Sequence, residues 1–266
     1  MKKYTYNDLL DIMARLRSPG GCPWDREQDH KTLKRYLIEE TYEVLEAIDK
    51  ENPAMLCDEL GDLLLQVVFH AQIAKESGQF SMDDVVHGVS SKMVHRHRHV
   101  FGEEEAETPE DVIRIWEDIK KEEKGQETQT KVLKGVPGNL PALMRSYKVQ
   151  EKAARVGFDW DKAEDAFKKL EEEVQELKKA CESGNQAEIE EELGDLLFAV
   201  VNVSRFYGVQ PELALNATIN KFIKRFEYIE TTSAKQGKKL EDMTLEEMDA
   251  LWDDCKRKER EAEDYH

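Results

Sequence analysis

The sequence predicts an all-α protein made of two tandem helical bundles, and three observations predict it. No segment shows sustained strand alternation, while apolar residues recur at helical spacing, as at Leu9, Leu10, Ile12, Met13 and Leu16. Cap and breaker residues punctuate the chain at helix-length intervals. Finally, the second half replays the first, much of it displaced by a constant 133 positions.

Taken in order, residues 4–17 form an amphipathic helix, broken by Ser18-Pro-Gly-Gly-Cys-Pro23, and Trp24-Asp25 opens a loop. A helix follows over about Lys31 to Lys50. Asn52 caps the next, with Pro53 at the first helical position, where its missing N–H costs nothing; it runs to about Lys75 and Ser77-Gly78 ends it. Ser81 with Asp84 starts a helix carrying Lys92 and Arg96, and Thr108-Pro-Glu-Asp111 starts one carrying Trp116 and Lys120. The turn-rich stretch 125–141 is the expected linker, giving domains over 1–124 and 142–266. Beyond it Ala153-Ala-Arg-Val-Gly-Phe-Asp-Trp160 echoes Met13-Ala-Arg-Leu16 and Trp24, with four residues fewer between. Asp161 with Glu164 caps the next helix, and Asn185 with Glu188 the one after it. Gly208 and Pro211 break the chain where Gly78 did, Lys221 and Arg225 match Lys92 and Arg96, and Thr244-Leu-Glu-Glu247 opens the helix of Trp252 and Lys256.

Composition narrows the function. The 266 residues carry a net charge of −18 with 36% charged residues, which argues against non-specific binding to nucleic acid or an anionic membrane. Cys22, Cys57, Cys181 and Cys255 have no paired spacing, so neither a zinc site nor a disulfide framework is expected, and reduced thiols in the cytoplasm are. No apolar run approaches the ~20 residues needed to span a bilayer, and the N-terminus has no apolar signal core.

The chemistry sits in Lys169-Leu-Glu-Glu-Glu-Val-Gln-Glu176 and Glu191-Glu-Leu-Gly-Asp-Leu-Leu197. On a helix Glu172, Glu173 and Glu176 share an arc of roughly 100°, and Glu192 and Asp195, three apart, share a face of the next. If the two faces meet, four carboxylates converge at one seam, and a divalent cation is their natural occupant. A solvated acidic face is the better explanation of one such hairpin standing alone. It does not explain a second: Glu39-Glu-Thr-Tyr-Glu43 and Glu59-Leu-Gly-Asp-Leu-Leu64 repeat the pattern, with Glu40, Glu43, Glu59 and Asp62 matching Glu173, Glu176, Glu192 and Asp195. Carboxylates in such number suit Mg²⁺ or Mn²⁺. Each half adds a Lys/Arg pair and a Trp/Lys pair at i,i+4, which fits a metal–polyphosphate ligand, although surface ion pairing accounts for the basic residues too. Trp116 and Trp252 are read either as stacking faces for a base or as core, and Trp24 and Trp160 as core. His95 and His99 lie four apart, but the arginines between them oppose a zinc site. There is no Gly-rich phosphate loop, dinucleotide fingerprint or nucleophile elbow, which leaves a metal-activated water as nucleophile.

The doubled acidic motif, Gly-Cys-Pro-Trp-Asp at 21–25, His97-Arg-His-Val-Phe-Gly102, Lys221-Phe-Ile-Lys-Arg225 and Trp252-Asp-Asp-Cys-Lys256 together resemble a full-length MazG-type nucleoside triphosphate pyrophosphohydrolase, over essentially the whole chain. The resemblance implies an α-helical bundle assembled through dimers, and Mg²⁺-dependent hydrolysis of NTPs and dNTPs to monophosphate and pyrophosphate. It implies Glu173, Glu176, Glu192 and Asp195 as metal ligands. It places the nucleotide among Lys169, Leu170, Glu171, Glu172, Glu173, Glu191, Glu192, Leu193, Gly194, Lys221, Arg225, Trp252 and Lys256. It leaves Glu172 outside the ligand set, to orient or deprotonate the water. The matching first-half set is Glu40, Glu43, Glu59, Asp62, Lys92, Arg96, Trp116 and Lys120, with no visible break in its motif. The first half is not active in every member. A regulatory protein that binds nucleotide–metal complexes without turnover is the alternative, and an acidic helical scaffold a second one.

Overall fold

The computed structural model describes residues 2–123 and 128–263. Among them there is no strand, and no helix is long and apolar enough to cross a membrane. The chain divides into two compact units, 1–120 and 121–266.

The first unit contains α1 (Tyr6–Arg17), α2 (Pro23–Glu27), α3 (Lys34–Asp49), α4 (Pro53–Glu76), α5 (Met82–Arg96), α6 (Arg98–Phe101) and α7 (Pro109–Glu123), whose last turn crosses the boundary. Capping boxes start α1 at Thr5/Asp8 and α5 at Ser81/Asp84, and the Asn52 side chain accepts from the N–H groups of Ala54 and Met55. Thr108 and Asp111 make the reciprocal pair at α7. Helix α3 begins three residues later than expected, because the Asp29 carboxylate accepts from the N–H groups of Lys31 and Thr32 and holds them in a turn. The expected loop at Trp24 is the short α2, started by Pro23. Helix α4 packs against α1, α3 and α5, around Met13, Leu33, Val68 and Phe69 with Leu9, Leu10, Tyr36 and Leu65 against them.

The second unit contains α8 (Gln129–Lys134), α9 (Ala142–Ala154), α10 (Ala163–Ser183), α11 (Gln186–Phe206), α12 (Pro211–Lys235), a 3₁₀ turn (Leu240–Asp242) and α13 (Leu245–Glu263). Helices α10 and α11 form an antiparallel hairpin, closed by Gly184 in the left-handed conformation (φ 70°) and capped by Asn185. Helix α9 packs on α11 and α12, and α13 on α12. Of the expected linker, residues 125–127 lie outside the described residues, while 129–134 form α8. Helix α8 packs on α9, with Val132 and Val136 buried, and Gln129 donates to the Lys152 carbonyl at 2.6 Å. The expected Asp161 cap is not formed. The cap position falls one residue later, on Lys162, which has no acceptor to offer.

Arg17 ties the first unit together. Its guanidinium, 7% exposed, grips Glu76 of α4 in a forked pair at 2.8–3.0 Å and donates to the carbonyls of Asp25 in α2 and of Gln28 just after it. Burial raises the Glu76 carboxyl, but hydrogen bonds from Arg17 and Gln72 and the guanidinium charge outweigh it, so its pKa lies below the ordinary value. A depressed carboxylate stabilises the fold fully above the unfolded pKa, and that contribution fades as pH falls through the folded one. Glu76→Gln should therefore lower the urea midpoint of the first unit at pH 7 by an amount equivalent to about 1–2 kcal/mol. In far-UV circular dichroism titrations the difference from wild type should shrink below pH 4.5, the ordinary value.

Candidate metal and substrate site

The α10–α11 seam brings carboxylates together as the motif requires. One oxygen each of Glu173, Glu192 and Asp195 lies within 4.8 Å of the others, and Glu173 is buried at 4% exposure. In the first unit the trio within that distance is Glu40, Glu43 and Glu59. Each trio is three members of one quartet. The fourth still acts on it: burial raises the Glu192 carboxyl, reinforced by the charges of Glu176, Glu173 and Asp195, and burial raises Glu40, reinforced by Asp62, Glu43 and Glu59. Glu59 is raised in the same way, by burial and then by Glu43 and Asp58. Hard oxygen donors, crowded and self-repelling, fit a divalent cation. Among the described residues no third group of three or more metal-ligating side chains comes together, and His95 and His99 form none.

Lys169 bridges Glu172 at 2.8 Å and Glu173 at 2.7 Å, and the two carboxylates hold its ammonium above the ordinary lysine pKa. Glu172 itself is more than half exposed. Beside the trio opens a cavity of about 710 Å³ onto which Glu173, Asp195 and Lys169 face, a size suited to a small-molecule ligand. Leu170 is half-buried; Glu171, Glu191, Leu193 and Gly194 are exposed beside the acidic cluster.

The structure does not bring every expected residue to this cavity. Arg225 forms a forked pair with Glu259 at 2.8–2.9 Å and lies over the Trp252 ring, which also packs on Phe222; Lys256 pairs with Asp253. The exposed Lys221 lies on α12 with Arg225, while Trp252 and Lys256 lie on α13, and none of the four lines the cavity. In the first unit Lys92 is exposed on α5, Arg96 is half-buried, and Trp116 stacks edge-on against His97 at 4.7 Å with its indole N–H buried and unpartnered. The Lys120 side chain lies outside the described residues. Trp24 and Trp160, expected in the core, are instead about half exposed (49% and 47%). Trp24 meets Tyr36 and Phe69 edge-on, and Trp160 lines the cavity. Both come before the first acidic helix of their unit, Trp24 within α2 and Trp160 between α9 and α10.

Sequence reasoning missed Gln150, Asn202, Arg205 and Asp159, which line the same cavity. Asn202 carried a readable signal, an amide inside the apolar run Leu196–Val203 at the place Phe69 holds in the first half. Gln150 and Arg205 carried none, since their surroundings come from other helices.

Because Glu192 is raised above the ordinary carboxylate value, its charge opposes folding at neutral pH. Glu192→Gln should raise the melting temperature in EDTA, and saturating Mn²⁺ should remove or reverse that gain. Differential scanning calorimetry of both forms checks this.

The MazG nucleotide pyrophosphohydrolase domain matches the chain twice, over residues 28–101 and 162–229. The chain is 47% identical to the nucleoside triphosphate pyrophosphohydrolase/pyrophosphatase MazG of Thermotoga maritima, over 94% of this chain and 95% of that one. It is 45% identical to the nucleoside triphosphate pyrophosphohydrolase of Escherichia coli K12, over 94% and 97%, and 47% identical to the uncharacterized protein YabN of Bacillus subtilis, over 97% of this chain and 53% of that protein. With both domain matches falling on the helices that carry the carboxylates, the chain belongs to the MazG nucleotide pyrophosphohydrolase family.

Proposed function

We propose that the chain hydrolyses nucleoside and deoxynucleoside triphosphates to monophosphate and pyrophosphate at the second-unit site, with Mg²⁺ as cofactor and Mn²⁺ able to replace it. The observation that carries this is the buried Glu173 meeting Glu192 and Asp195 at the edge of a cavity that also presents Lys169. The names of the Thermotoga and Escherichia relatives support the choice of bond.

Glu173, Glu176, Glu192 and Asp195 hold the cation in this reading, as Glu40, Glu43, Glu59 and Asp62 do in the first unit. Bound there, Mg²⁺ supplies positive charge to the phosphoryl oxygens and acidifies water. Lys169 exchanges its carboxylate partners for a phosphoryl oxygen. Glu172, then without its ammonium partner, becomes the more basic group and takes the proton of the attacking water. Leu170, Glu171, Glu191, Leu193 and Gly194 flank the nucleotide. Lys221, Arg225, Trp252 and Lys256 bind it from α12 and α13. The four free cysteines suit a reducing cytoplasm.

Glu173→Gln and Asp195→Asn each keep side-chain size and remove a ligand charge, so each should lower kcat by about 10²-fold or more with helix content unchanged. With ATP, wild type should release AMP and pyrophosphate, resolved by ion-exchange chromatography. ADP and orthophosphate as first products would refute the bond assignment, and wild-type turnover in both variants would move it to the first-unit quartet.

The proposed assembly is a homodimer or a higher oligomer. Leu193, Leu197 and Val200 of α11 and Leu215, Ile219, Phe222 and Ile223 of α12 are each 41–58% exposed, more apolar surface than a monomer ordinarily leaves in water. Light scattering at micromolar concentration should give at least twice the chain mass of 30.8 kDa; a mass near that value overturns the assembly.

A further inference from the structure

His30 and His70 meet in the first unit, 40 residues apart in the chain. Their Nδ1 atoms are 2.8 Å apart, their ring centres 5.1 Å apart and their planes within 8° of parallel. The nitrogen separation falls short of the ring separation by the full reach from centre to nitrogen in both rings. Both nitrogens therefore lie on the line between the centres, and the imidazoles are coplanar and edge to edge with their Nδ1 atoms head to head. A metal ion between collinear nitrogens would sit about 2.0–2.1 Å from each and hold them about 4 Å apart. The gap has room for a proton and nothing larger.

The protonation states of such a pair are limited. With both rings neutral, one Nδ1 donates and the other accepts. A first added proton goes to the outer Nε2 of the donor ring and leaves an imidazolium–imidazole bond, which the charge strengthens. A second must go to the accepting Nδ1, which sets two N–H groups and two positive charges head to head. The pair titrates in two coupled steps, and the second breaks the bond. Burial first, and the charge of His30 second, hold His70 below the ordinary 6.5. Charged groups on the surrounding elements are engaged elsewhere. Asp29 accepts from the N–H groups of Lys31 and Thr32, Arg17 of α1 grips Glu76 of α4, Arg35 of α3 lies over Tyr36, and Asp84 of α5 accepts from Ser81. Lys31, Lys34 and Lys75 are exposed.

His30 belongs to the segment 28–33 between α2 and α3. Arg17 ties this segment to α1 through the Gln28 carbonyl at 3.1 Å, and His30 ties it to α4. Leu33 at its end is 1% exposed in the core cluster, and α3, which carries Glu40 and Glu43, starts at Lys34. In the second unit Ala163 and Val203 stand at the matching places, so the shared bundle does not need the pair.

We propose that His30 and His70 form a proton-operated clasp on the first unit. It is closed while one proton lies between the two Nδ1 atoms. It opens when both rings are charged, freeing the segment 28–33 from α4 and loosening the start of the helix that carries Glu40 and Glu43. The clasp is independent of the reading of the second-unit site. A histidine held below its ordinary value stabilises the fold above the unfolded pKa, and that contribution is lost as pH falls through the folded one. The clasp is therefore closed above pH 6.5 and opens as pH falls below it.

Nitrogen NMR of the full-length chain, labelled with ¹⁵N at histidine, tests the bond. Wild type above pH 6.5 should show a scalar coupling between two Nδ1 atoms across an N–H···N bond, lost in His30→Gln. Hydrogen–deuterium exchange, corrected for the intrinsic rate at each pH, tests the opening. From about one pH unit above 6.5 to about one below it, the backbone amides of residues 31–34 should lose protection about tenfold in wild type. Asparagine places an amide near the Nδ1 position that hydrogen-bonds but does not titrate, so His70→Asn and His30→Asn should each flatten that loss. No coupling in wild type, protection that is the same at both pH values, or an undiminished loss in both asparagine variants overturns the proposal.

Discussion

Like charge gathered at a helix–helix seam is the constraint around which the rest of the molecule is arranged. Glu173, Glu192 and Asp195 share less than 5 Å, with Glu176 close enough to raise Glu192 further. Such a group is unfavourable in a cation-free chain, and the fold around it must supply the stability it removes. A left-handed glycine and an asparagine cap join α10 to α11 with little slack, and the apolar residues of α11 hold it against α9. Lys169 offsets part of the repulsion from within the same helix. A divalent cation would offset more of it.

The repeat shows which features are tied to that constraint. The carboxylates, the asparagine caps and the mid-helix glycines Gly61 and Gly194 recur at one offset. A helix-interior glycine costs about 1 kcal/mol relative to alanine, and both of these sit with open space where a Cβ would stand. What fills the bundle beside the seam has diverged: a compact apolar cluster in the first unit, an open and partly polar cavity in the second. Interior volume can change without disturbing the seam because the ligand geometry depends on spacing within two helices, whereas the filling depends on side chains from three or four elements.

The first unit has a buried cluster, closed by the forked Arg17–Glu76 pair. Both units bury several small residues, Ala47, Ala71 and Ala74 in the first and Ala166, Ala180 and Ala199 in the second, and both leave large apolar side chains outward, among them Leu64 and Val89 in the first and Leu197 and Phe222 in the second. A bundle with a cavity in place of packing atoms and apolar faces in water is poorly stabilised alone. Burial of those outer faces against a second chain is the direct way to recover the loss.

Residue spacing by itself determined most of what is local. It predicted the helices of both acidic hairpins, the caps at Asn52, Ser81, Thr108 and Asn185, the tandem repeat and the two acidic quartets, because helix periodicity and capping act over a few residues, but it read the short α2 as loop and α8 as linker. It erred by one residue at the cap before α10 and by three at the start of α3, where side chains compete with the backbone over distances too short for a periodic pattern to resolve. Only the tertiary structure decided which three carboxylates of each quartet approach most closely, that Trp24 and Trp160 stand half in solvent, and that Arg225 and Trp252 partner each other away from the cavity. It alone opened a cavity between Gln150 and Asn202 and left their oxygens unpaired there. These outcomes depend on volumes and distances between side chains remote in the chain, and no spacing along one helix encodes them.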